Sequence, residues 1–137
     1  MRTYLRIFTA VSAFALGGAI AAAGTPAAAA APPSTDLTIT YLATPASQVV
    51  VWRLVCGPAG GSHPDPVGAC ELLDKATADP FKPVPPGTIC LPFSDGPETA
   101  RVTGRWSDQP IDASFNRVHS CEIARWDNLV PVLPKHR

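Results

Sequence analysis

CGPAGGSHPDPVGACELL, residues 56–73, carries two of the four cysteines of this 137-residue chain and, between them, a run of glycine and proline. Proline has no backbone N–H and a fixed φ, and glycine costs more to order than any other residue, so Gly57–Gly68 is expected to form neither helix nor strand and to wrap over the rest of the fold. From Ala69 the pattern changes. Leu72, Leu73 and Ala76 recur at helical spacing with Glu71, Asp74 and Lys75 outside them, which predicts a short helix over 69–78. Pro80, Pro83, Pro85 and Pro86 end it.

The other cysteines are Cys90 and Cys121. An even count reads as two disulfides if the chain is exported, and the N-terminus has the organisation of an export signal. Arg2 and Arg6 open it, an uncharged apolar run from Ile7 to Ala23 follows, and Ala27 and Ala29 supply a small-residue cleavage site. Residues 1–29 are therefore set aside as a signal peptide, 30–35 as a flexible Ala/Pro/Ser arm, 36–126 as one domain, and 127–137 as a C-terminal tail. Without Arg2 and Arg6, nine basic residues face eleven acidic ones, which argues against nucleic acid or an anionic membrane as partner. No later stretch is apolar enough to span a bilayer. Three cysteine pairings are possible. Sequential pairing would enclose 13 and 30 residues, each loop contributing roughly 3–4 kcal/mol in the chain-entropy model. With no C-x-x-C pair, no metal site is expected, and no cofactor.

Period-two alternation predicts strands over Asp36–Leu42 (Leu37, Ile39, Tyr41), Ser47–Cys56, Thr99–Trp106 and about Ile111–Val118, with turns at Thr44–Ala46 and Ser107–Pro110. Glu122–Leu129 suits a second short helix ahead of Pro131. The order strand, strand, helix, strand, strand, helix implies an α+β two-layer domain, an antiparallel sheet with its helices on one face. Trp52, Trp106 and Trp126 read as core or interface residues, and His63 as a structural histidine.

From Pro80 to Pro97 the chain has six prolines and two glycines, yet Leu91 and Phe93 stand in its middle beside Cys90. Either these side chains fold back into the core, or a stiff loop displays them. A displayed loop is costly unless something binds it, and it has the attributes of a protease pseudo-substrate. An extended segment can add to a substrate cleft as a strand, proline and a cystine limit its freedom beforehand, and one large side chain can fill a specificity pocket.

The 56–73 stretch resembles the first cystine loop of the Streptomyces subtilisin inhibitor family, in which a strand ends in Cys, a G-P-x-G-[ST]-H-P segment follows, and an A-C pair opens the first helix. Cys90, the Arg101–Trp106 strand and Cys121 also fall at family-like spacing, so the resemblance covers about Leu37 to Ile123. It implies a five-stranded antiparallel sheet with two helices, disulfides Cys56–Cys70 and Cys90–Cys121, often a homodimer through the sheet, and standard-mechanism inhibition of subtilisin-like serine proteases. The family's reactive loop runs C-P-[M/K]-V-Y-D-P; here Cys90-Leu-Pro-Phe-Ser-Asp-Gly-Pro97 is one residue longer. Anchoring on Pro97 makes Phe93–Ser94 the reactive bond, within an inhibitory loop of Leu91, Pro92, Phe93, Ser94 and Asp95. Anchoring on Cys90 and Asp95 makes it Pro92–Phe93, with Gly96 inserted. Phe93 suits a pocket for long or aromatic side chains better than Pro92. His119 stands where the family has a loop-bracing Asn, and is the candidate for loop support. The resemblance thus implies a secreted, extracellular inhibitor; a secreted binding or structural module that keeps the fold without inhibiting is the alternative. No G-x-S-x-G elbow or metal cluster argues for an enzyme.

Overall fold

Alternation through Thr35–Leu42 buries Thr35, Leu37 and Ile39 and leaves Asp36, Thr38 and Thr40 half-buried; this strand, β1, is the centre of a five-stranded antiparallel sheet. The computed structural model describes residues 34–136, so the proposed signal peptide and residues 30–33 of the proposed arm lie outside the described residues. Thr35, assigned to that arm, belongs instead to the sheet, where it pairs with Cys56. Beside β1 lie β2 (Val50–Cys56) and the two-residue β3 (Gly60–Gly61) on one side, and β4 (Thr99–Trp106) and β5 (Gln109–Asn116) on the other, in the order β3-β2-β1-β4-β5. The register sets Leu37 opposite Leu54, and Ile39 between Trp52 and Val102. These positions share one face, and that face is the core side.

Two tight connections hold the register. Between β1 and β2, the Ser47 hydroxyl donates to the Thr44 carbonyl at 2.8 Å and accepts from the Thr44 N–H at 2.9 Å. Between β4 and β5, Ser107 and Asp108 both have positive φ (46° and 63°), the backbone of a two-residue hairpin whose twist matches the strands it joins.

The Gly/Pro stretch is more ordered than its composition predicts. Gly60 and Gly61 pair with Val55 and Leu54 as an edge strand, which corrects the expectation of no strand there. Gly61 has φ +97°, and a Cβ on it would overlap the Arg53 carbonyl, so the backbones approach closely only because this residue has no side chain. The first helix, α1 (Pro66–Lys75), begins three residues before the predicted start. Asp65 caps it by accepting from the Gly68 N–H at 2.9 Å, and Pro66 occupies the first turn, where a missing N–H costs nothing.

α2 (Ser120–Asp127) and α1 both lie on the core side, α1 against β2 and β3, α2 against β5. Among the described residues no helix is long and apolar enough to cross a membrane. Residues 127–136 are not a tail. Asp127 closes α2, and Leu129, Val132 and Leu133 are fully buried beside Trp126, whose indole N–H donates to the Pro134 carbonyl at 2.8 Å. His63 ties the wrap to this segment: its Nδ1 accepts from the Asp65 N–H, so Nε2 carries the proton and donates to the Val132 carbonyl at 3.1 Å. The disulfides are Cys56–Cys70 and Cys90–Cys121, as the family resemblance implies.

Candidate functional site

The Pro-rich connection from α1 to β4 is fastened to α2 where Cys90 bonds to Cys121. Phe81, near its start, packs into the core, but Leu91 and Phe93 do not fold back: they are 62% and 50% exposed, and Ile89 stands almost wholly in solvent. Pro92 and Ser94 are exposed as well, while Asp95 is half-buried.

Two backbone anchors bracket the exposed residues. Before them, the Leu91 N–H donates to the Ser120 hydroxyl at 2.9 Å and the Leu91 carbonyl accepts from the Ser120 N–H at 3.1 Å, one residue from the disulfide. After them, the Asp95 N–H donates to the Arg117 carbonyl at 2.9 Å, and the Arg117 Nε donates back to the Asp95 carbonyl at 2.6 Å. Between the anchors, the Phe93 N–H bonds to the Leu91 carbonyl at 3.0 Å, a tight turn over Pro92. Pro92, Phe93 and Ser94 are thus suspended between two fixed points, with both Phe93–Ser94 and Pro92–Phe93 inside the span. Beyond Asp95, Gly96 turns the chain at φ +104°, and a Cβ there would overlap the Glu98 carboxylate.

His119, the expected brace, has another contact. Its Nδ1 accepts from the Glu122 N–H at 3.4 Å as the cap of α2, and the ring lies against the Cys90 and Cys121 sulfurs, which are committed to the disulfide. The adjacent Ser120 braces the loop backbone instead.

The second anchor rests on Arg117, whose side chain is only 2% exposed. It bonds the Asp95 carboxylate from one terminal nitrogen (2.5 Å) and Asp127 of α2 from the other (2.8 Å), with its guanidinium 5.8 Å from the Trp126 ring centre. Burial works against the charge on Arg117, but the hydrogen bonds to Asp127 and Asp95 outweigh it and its pKa is raised. Asp95 is held below the ordinary aspartate range, chiefly by the Arg117 hydrogen bond, with the charges of His136 and Arg117 reinforcing it against some desolvation. His136 reaches the same place from the C-terminal segment, 2.8 Å from Glu98 and 3.6 Å from Asp95. Arg117, Ser120 and His136 are absent from the residues predicted for the site. Arg117 alone left a signal: it continues the inward alternation of Ala113 and Phe115, and an arginine on an inward position needs acidic partners.

Residues 31–120 match the family described as Subtilisin inhibitor-like. The chain belongs to that family. A curated relative, Subtilisin inhibitor-like protein 1 of Streptomyces cacaoi, is 35% identical over 86 residues, 59% of this chain and 74% of the relative. Among solved structures, Streptomyces caespitosus sermetstatin, crystallised in complex with Bacillus licheniformis subtilisin, is similar at 20% identity and a TM-score of 0.48, over 73% of this chain and 97% of that one. The five-stranded sheet, two helices and two disulfides described above are thus this family member's own fold.

Proposed function

We propose that this protein is a secreted inhibitor of subtilisin-like serine proteases that presents Phe93–Ser94 as a slowly cleaved bond. One observation carries the reading: an exposed Pro92-Phe93-Ser94 segment held between the Leu91–Ser120 and Asp95–Arg117 anchors. A protease extends its substrate against the cleft, and a loop already fastened at both ends loses little further entropy on docking. Phe93 supplies the large side chain for the primary pocket. When the enzyme's serine adds to the Phe93 carbonyl, the C–N bond to Ser94 breaks and the amine leaves with a proton from the enzyme's histidine. The amine stays tethered, so its return to the acyl-enzyme outruns escape. Two disulfides and the leader-like N-terminus support export.

Titration of subtilisin with the purified protein tests this. The expected outcome is a linear fall of activity to zero near one loop per enzyme, followed by slow appearance of a new N-terminus at Ser94. A new N-terminus at Phe93 would move the reactive bond to Pro92–Phe93. The Phe93→Gly variant is expected to bind about a hundredfold more weakly, since a buried aromatic anchor carries a large share of such an interface. Rapid digestion with no loss of enzyme activity rejects inhibition in favour of a module that keeps only the fold.

A further inference from the structure

We infer that Arg117 is a positioning residue that holds the leaving strand after cleavage and so sets how long inhibition lasts. The inference rests on the proposed inhibitory reading, but not on which of the two bonds is cut, because Asp95 lies on the leaving side of both. The geometry is specific to that side. Arg117 makes three bonds to the single residue Asp95: its carbonyl accepts from the Asp95 N–H, its Nε donates to the Asp95 carbonyl, and a terminal nitrogen donates to the Asp95 carboxylate. None of these uses an atom of the reactive bond, so none is lost when that bond opens.

Arg117 is itself immobilised from behind. Its other terminal nitrogen bonds Asp127 of α2, Trp126 lies beside it, and its side chain is almost wholly buried. A buried guanidinium released from Asp95 would lose one of its two carboxylate partners without gaining water, so release is disfavoured even after the strand ahead of Asp95 is severed. His136 sits 3.6 Å from the other oxygen of the same carboxylate.

In the acyl-enzyme, Phe93 is esterified to the enzyme's serine and Ser94 carries a free amine. That amine can attack the ester, which re-forms the amide and returns the proton and the alcohol to the enzyme, or it can drift away, after which water hydrolyses the ester to a carboxylic acid. The choice depends on how long the amine remains within reach. With Asp95 fixed, only one residue separates the anchor from the amine. Without it, the next fastening is the Gly96–Glu98 turn against His136, where Glu98 is bonded at 2.8 Å.

Two variants test this: Arg117→Met, which removes the donors, and Asp95→Asn, which removes the acceptor charge at a half-exposed site and leaves the buried arginine in place. Each is titrated against subtilisin, and the lifetime of inhibition and the equilibrium ratio of cleaved to intact chain are read. Initial inhibition is expected to weaken, since the loop loses one of its two fastenings, and beyond that the lifetime is expected to shorten tenfold or more with the ratio shifted toward the cleaved chain. Arg117→Lys is expected to restore part of the lifetime. A merely structural role would lower the unfolding midpoint without moving the cleaved-to-intact ratio of folded protein. If the parent inhibits and Asp95→Asn keeps both its lifetime and its ratio, the inference falls and the inhibitory reading stands. If the parent is digested without inhibiting, both fall.

Discussion

Gly61 shows how one missing side chain can hold an edge of the sheet. At φ +97° and in contact with the Arg53 carbonyl, it lets the wrap lie against β2, where the Ser62 hydroxyl accepts from the Arg53 N–H and the His63 N–H donates to the Arg53 carbonyl. Gly61→Ala is expected to destabilise the fold by about 1–3 kcal/mol, since the residue must leave a left-handed conformation or displace β2. Urea denaturation of parent and variant gives the difference, and equal midpoints would mean the wrap can shift at no cost. The site's residues divide by the same logic. Phe93 and Leu91 were visible because large apolar residues among prolines stand out. His119 both caps α2 and lies beside the Cys90–Cys121 disulfide, a placement that its position before Cys121 does not announce. Ser120 was invisible, since no spacing rule marks a hydroxyl that reaches a backbone N–H 29 residues away.

Among elements, the C-terminal segment departs most from expectation. Pro131 and Pro134 interrupt any period, so the apolar Leu129, Val130, Val132 and Leu133 read as a tail. Packing against Trp126 and the His63 bond to Val132 make the segment part of the helical layer. Three fully buried side chains represent roughly 5–9 kcal/mol of apolar burial, comparable with the whole stability of a small domain. A chain ending at Asn128 is therefore expected to lose cooperative unfolding, measured by near-ultraviolet circular dichroism through a thermal ramp. A sharp transition near the parent's would mean the helical layer closes without the segment. The strands were far more legible, because Leu37, Ile39, Ala100 and Val102 alternate without interruption and their periodicity survives in the structure. The two-glycine β3 was not, since a strand made of glycine has no side-chain period to detect.

For the molecule as a whole, acid is the informative variable. The carboxyls of Asp36, Asp95 and Asp112 are all held below the ordinary aspartate range, each chiefly by a hydrogen bond from its arginine, Arg53, Arg117 and Arg101 respectively. A depressed carboxyl contributes stability that is fully present above its unfolded pKa and is lost as pH falls through the folded one. The unfolding midpoint is therefore expected to be flat above about pH 5 and to drop below about pH 4. The contributions are unequal. Arg101 and Asp112 are both well exposed, and such a pair is screened by solvent, whereas protonating Asp95 deprives a buried guanidinium of a partner. Asp112→Asn should leave the acid slope nearly unchanged and Asp95→Asn should flatten it; equal slopes in scans from pH 6 to pH 2 would contradict this ranking.

The burial of Leu129, Val132 and Leu133, together with His136 beside Asp95, also bears on the order in which the chain is made. These residues leave the ribosome after the sheet, the wrap and the loop they complete. Until they emerge, the inward face of the sheet lacks part of its cover and the loop lacks one of its supports. A stalled or prematurely released product ending ahead of them would present exposed core and an unbraced loop to any protease it met, and would be removed before it could occupy one.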